Sequence, residues 1–112
     1  MPIGARARAG YLTHTSGGVA TAAAEPGGAP PPSTPGYVKT TLFFVNGRSD
    51  TVSVDWVDFD GDRQNYLTLP PGDGAMQGTV AGHVWVVAAG DQVLGSVVAR
   101  HEPPVVGRVD IR

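Results

Sequence analysis

From Tyr37 onward no window repeats apolar residues at i, i+3, i+4 and i+7 over three turns. That absence constrains the fold most, because it removes the amphipathic helix as a building block. In its place stand short β-branched and aromatic runs cut by Gly, Asn, Asp and Pro. Strands are predicted over residues 38–45, 51–59, 63–69, 75–80, 83–88, 92–100 and 105–111. The turns between them carry the expected chemistry. Asn46-Gly47 and Asp60-Gly61 suit positive φ. Pro70-Pro71-Gly72 cannot lie in a central strand, since proline removes ladder donors. Ala81-Gly82, Gly90-Asp91 and Glu102-Pro103-Pro104 break the remaining runs. Within 51–59 the alternation slips: Val52, Val54 and Trp56 share one parity, Val57 and Phe59 the other. A bulge or bend is expected near Trp56 and Val57. Seven short strands without a helix predict an all-β chain, a seven-stranded antiparallel β-sandwich or a small barrel.

The 112 residues divide by texture. Residues 1–36 are Gly, Ala, Pro, Ser and Thr with few large apolar side chains, and are expected to be a disordered, low-complexity tail and linker. The stretch 25–36, EPGGAPPPSTPG, favours extended polyproline geometry. Residues 37–112 hold every phenylalanine and tryptophan and are expected to be the sandwich. A core of roughly 75 residues buries only about 60% of its unfolded surface, so modest stability is expected.

Several function classes fall away. The chain has no cysteine, which excludes disulfides, thiolate zinc sites and thiol nucleophiles. Its net charge is −2, with Asp58, Asp60 and Asp62 close together, the wrong sign for a nucleic-acid footprint. No apolar run approaches the ~20 residues of a membrane span. The opening MPIGARARAG lacks the apolar core of a secretory signal, so a cytoplasmic location is the default expectation. The three aspartates do not make a calcium loop, because Gly61 comes too early and Leu69 stands where a bidentate Glu is required. His101-Glu102-Pro103-Pro104 is not a zinc helix. No carboxylate pair, triad or metal-ligand set emerges, so neither a catalytic residue nor a cofactor is expected and the chain is read as a non-enzyme.

Aromatic surface and hydrogen-bonding groups coincide in one stretch, residues 54–87. Both tryptophans, Trp56 and Trp85, lie there, with Tyr66, Thr79 and His83. If a strand ran on through Gly82, then Thr79, His83 and Trp85 would share a face, with Val80, Val84 and Val86 turned to the core. A hydroxyl and an imidazole can fix one polar ligand atom, and an indole supplies a flat floor. On pattern alone Trp85 reads first as an ordinary core residue, and His83 as a satisfied histidine near the surface.

Four ordered motifs add a resemblance. They are Phe44-Val45-Asn46, then Trp56-Val57-Asp58-Phe59-Asp60-Gly61, then Tyr66-Leu67-Thr68-Leu69-Pro70-Pro71-Gly72, and finally Gly82-His83-Val84-Trp85. In this order and spacing they resemble the β-domain of the von Hippel-Lindau tumour suppressor family, over roughly residues 39–112. The resemblance implies a seven-stranded β-sandwich that binds an extended peptide containing 4-hydroxyproline. It also implies roles. Trp85 and Trp56 would be floor and wall of a proline pocket. His83 and Thr79 would bond the added hydroxyl, with threonine in place of the family's serine. Tyr66 would bond a peptide carbonyl. The pattern departs where the family's hydroxyproline reader has His-Ser-Tyr and this chain has Gly78-Thr79-Val80. The family's helical domain has no counterpart here, so recruitment of elongins or a ubiquitin ligase is not expected. The alternative is an accessory interaction domain whose ligand is an unmodified peptide, a glycan or a partner protein.

Overall fold

In a computed structural model the described residues are 11–16, 18–23, 29–102 and 106–112. They form nine strands and no helix: β1 (Leu12–Ser16), β2 (Val19–Ala23), β3 (Lys39–Asn46), β4 (Val52–Val57), β5 (Arg63–Leu69), β6 (Gly74–Val80), β7 (Val84–Ala89), β8 (Gln92–Ala99) and β9 (Val106–Ile111). One sheet has the order β1-β9-β3-β6 and the other β2-β8-β7-β4-β5. The all-β sandwich expected from the sequence is therefore present. β3 and β9 pair in parallel, and the other ladders are antiparallel.

The alternation sets the layers. On β3, Thr40, Leu42, Phe44 and Asn46 are buried and their neighbours are less so. Leu42 and Phe44 join Val109 and Ile111 of β9 and meet Val52, Val54, Trp85, Val87 and Val97 from the other sheet. Each such side chain contributes roughly 1.5–3 kcal/mol on burial. Val57, Val84 and Val86 form a smaller cluster with Val93 and Val98. β7 is thus buried on both faces, and the side holding Trp85 and Val87 is the larger core, where the sequence suggested Val84 and Val86.

Two strands more than the seven expected lie in the stretch read as a tail. β1 pairs with β9, from Leu12 opposite Ile111, and β2 pairs with β8, from Val19 opposite Ala99. Leu12 and Val19 are buried in the main core. This is a correction to the expected disorder over these residues, and its cause is physical. An edge strand needs backbone pairing and one or two buried side chains, which Leu12 and Val19 supply despite the small-residue composition. Gly18 is needed by close packing: a Cβ there would collide with the Arg100 carbonyl. The rest of the expected tail, residues 1–10, 17 and 24–28, lies outside the described residues.

Local devices hold the site-bearing strands. Asn46 is fully buried; its amide donates to the carbonyls of Asp50 (2.8 Å) and Leu69 (2.9 Å), and its oxygen accepts the Arg48 N–H (2.9 Å). The motif asparagine therefore ties the β3–β4 turn to the end of β5. The Ser33 hydroxyl sits between β4 and β7. It accepts the Val84 N–H (2.7 Å) and donates to the Val57 carbonyl.

Candidate functional site

The irregularity expected near Trp56 and Val57 falls two residues earlier and on the neighbouring strand. Val54 faces Leu67 and Asp55 faces Asn65, so Tyr66 of β5 is the extra residue. Such a bulge re-aims a side chain. Tyr66 is half exposed and packs edge-on against Trp85 (5.2 Å between ring centroids) and Trp56 (6.3 Å). The two tryptophans face each other across the β4–β7 ladder.

Thr79 and His83 reach the tryptophans by a route the sequence did not suggest. No strand continues through Gly82. Ala81-Gly82 is a turn, with Gly82 at φ +94° and the His83 N–H bonded to the Val80 carbonyl (3.0 Å). β6, carrying Thr79, belongs to one sheet, and β7, carrying Trp85, to the other. The shared face inferred from odd numbering is corrected to a meeting of two layers. At that meeting the Trp85 indole N–H donates to Thr79 Oγ1 (3.0 Å), and the Trp56 indole N–H donates to His83 Nδ1 (3.2 Å).

All five residues singled out in the sequence, Trp56, Tyr66, Thr79, His83 and Trp85, line a single open cavity of about 660 Å³. The question whether Trp85 is core or pocket dissolves, since it is 2% exposed, belongs to the main core and also lines the cavity. Burial lowers the His83 pKa below the usual imidazole value, so the neutral ring is favoured near pH 7.

Sequence reasoning left out four lining residues, Lys39, Thr40, Thr41 and Phe59. Phe59 is half exposed and stands edge-on to both Trp56 and His83, 5.6 Å from each. It rides on the turn after β4. There Asp58 Oδ1 accepts the N–H groups of Asp62 (2.8 Å) and Asp60 (3.0 Å), and Gly61 takes φ +90°. The Asp62 N–H first of all holds the Asp58 carboxyl below the ordinary carboxylate range. The signal was an aromatic at a hairpin tip, where a core residue has nothing to pack on. Of the other three, Lys39 is the chain's lone lysine and the one basic side chain among the lining residues besides His83. Nothing in the strand pattern marks it.

Gly78 also lines the cavity, and a Cβ added there would meet nothing within 4 Å. The wall at that position is absent rather than built from something else. Among the described residues no group of three or more His, Asp or Glu side chains is placed to hold a metal ion. The arrangement offers flat apolar faces plus a few fixed polar atoms, which suits a ring-bearing ligand. Residues 33–102 match the family model described as the VHL beta domain.

Proposed function

This chain belongs to the VHL beta domain family, a family of protein-binding domains, and on that premise we propose that it is a non-catalytic module reading an extended peptide with a 4-hydroxyproline. One observation carries the reading: the five residues implied by the motifs line one cavity, and four of them are hydrogen-bonded in two pairs. In this reading the pyrrolidine ring stacks in the space between Trp56, Tyr66 and Trp85. Its C4 oxygen meets His83 and Thr79, and the Tyr66 hydroxyl takes a peptide carbonyl. Phe59 extends the aromatic wall, and the open space at Gly78 leaves that side of the ligand loosely held.

The test is a titration of matched proline and 4-hydroxyproline peptides followed by tryptophan fluorescence, since both tryptophans line the cavity. Placing plain proline against the polar pair leaves those groups without a partner, which costs about 1–3 kcal/mol, or roughly fivefold to a hundredfold in affinity. Hydroxyproline is expected to bind at least that much better. An equal response to both peptides, or none, sinks the reading. Retained binding of an unmodified partner after Thr79→Val and His83→Ala would support the accessory-domain alternative.

A further inference from the structure

The open space at Gly78 lies on a sheet edge. β6 ends its sheet, with β3 its one neighbour. Burial alternates along β3, so Thr40, Leu42 and Phe44 turn into the sandwich while Lys39 and Thr41 turn outward. Lys39 stands opposite Val80, Thr40 opposite Thr79, and Thr41 opposite Gly78. Residues directly opposite share a face. Gly78 and Thr41 are thus on the outer face, and Thr79 and Thr40 on the inner one. The cavity is lined from both faces, by Lys39, Thr41 and Gly78 as well as by Thr40, Thr79 and Trp85. It therefore runs over the edge strand, and Gly78 is the saddle it crosses. A Cβ built there meets nothing within 4 Å.

Past the saddle stands a charge. Lys39 is exposed, and among the described residues its ammonium has no ion-pair partner. No acidic residue lines the cavity. A cation without a counter-charge at the end of a groove attracts an anion. We propose that the ligand chain leaves the aromatic rings over Gly78 and sets a carboxylate on Lys39. The inference rests on the reading of the site as a hydroxyproline-peptide pocket and adds a second determinant in the ligand. That determinant is a carboxylate, from an acidic side chain or from the peptide's own C-terminus. Lys39 lies two residues along β3 from Thr41, about 7 Å, so the carboxylate belongs within a few residues of the ring. The acidic turn that carries Phe59, with Asp58, Asp60 and Asp62, follows β4 in the other sheet. Charge therefore also sets the direction of the ligand, with its anionic end towards β3.

The probe is an alanine peptide with one central 4-hydroxyproline, in which glutamate or glutamine replaces each flanking alanine in turn. A second set stops shortly after the ring and compares a free C-terminus with an amide. Tryptophan fluorescence reads every titration. On one side of the ring glutamate should bind about two- to fivefold tighter than glutamine, the range of an exposed ion pair. A gain from the free C-terminus alone names that source instead. Lys39→Met should erase the gain, and Lys39→Glu should reverse it in favour of a lysine peptide. Gly78→Leu, which has open space for its side chain, should erase it by closing the saddle, with far-UV circular dichroism as the check on its fold. A gain that survives Lys39→Met or Gly78→Leu overturns the inference. So does the lack of any gain while hydroxyproline still binds better than proline, an outcome that leaves the proposed function standing. A Lys39-dependent gain that is equal in proline and hydroxyproline peptides keeps the carboxylate site and sinks the hydroxyproline reading. No binding by any peptide overturns both.

Discussion

Thr79 shows how one oxygen serves two ends. It satisfies the indole N–H of a tryptophan that is 2% exposed, and it faces the cavity. Thr79→Val keeps the shape and removes the acceptor, so a buried donor is orphaned at a cost of about 1–3 kcal/mol. Urea unfolding should report that loss, and Thr79→Ser should recover most of it. His83 carries a pH dependence. Its folded pKa lies below the ordinary value of 6.5, so the unfolded chain takes the proton first. Its stabilising contribution is present above about pH 6.5 and is lost as pH falls through the folded value. Protonation would also set two N–H groups against each other at the Trp56 contact. Unfolding followed from pH 7.5 to 5.5 should show a downward slope in the wild type that is shallower in His83→Gln. At this scale the sequence was a good guide where chemistry is carried by rare residue types in motifs, as with Trp56 and His83. It was silent on Lys39, whose place by the cavity follows from sheet order and from no property of lysine.

At the scale of single elements, Ser33 is the most informative residue of the segment before β3. Its hydroxyl relays between the Val84 N–H and the Val57 carbonyl, linking the strands that carry Trp85 and Trp56. Ser33→Ala leaves both groups without that partner, and about 1–3 kcal/mol should be lost. Amide exchange at Val84 should accelerate while that at Val87 changes little. In composition this segment is Pro-rich linker, and a single serine among prolines gives no hint of a cross-strand relay. β4, β5 and β8 were legible within a residue or two because turn signals bound them. The bulge was legible as a parity slip, but its owner was not. A slip in β4 is relieved by an extra residue on either partner, and here Tyr66 of β5 supplies it. The break at Ala81-Gly82 was legible too. Its consequence, a change of sheet, depends on what β6 and β7 each pair with, which lies far off in the chain.

For the whole molecule the decisive pairings join distant residues. β1 meets β9, β2 meets β8, and β3 lies parallel to β9. A topology so dominated by long-range pairing should fold slowly, in ~milliseconds to seconds. Stopped-flow refolding measures this directly. Removal of β1 and β2 takes Leu12 and Val19 out of the core, where each buried side chain contributes roughly 1.5–3 kcal/mol. A chain beginning at residue 29 should therefore unfold at clearly lower denaturant. Unchanged stability would return residues 1–36 to the role of a dispensable tail. The small-residue strands went unread because edge strands ask little of composition.

The Arg112 N–H donates to the Tyr11 carbonyl at 2.8 Å, and Leu12 lies opposite Ile111. Seen as a path in space, the segment from Tyr11 to Arg112 therefore almost closes a loop. A glycine-serine bridge of a few residues can weld Tyr11 to Arg112, and a new opening can be cut at Gly90-Asp91, a turn where Gly90 has positive φ and open space around it. Such a circular permutant should keep the same tryptophan emission as the parent. By the same geometry the sandwich can be spliced into the surface loop of a host protein, entering and leaving at one point.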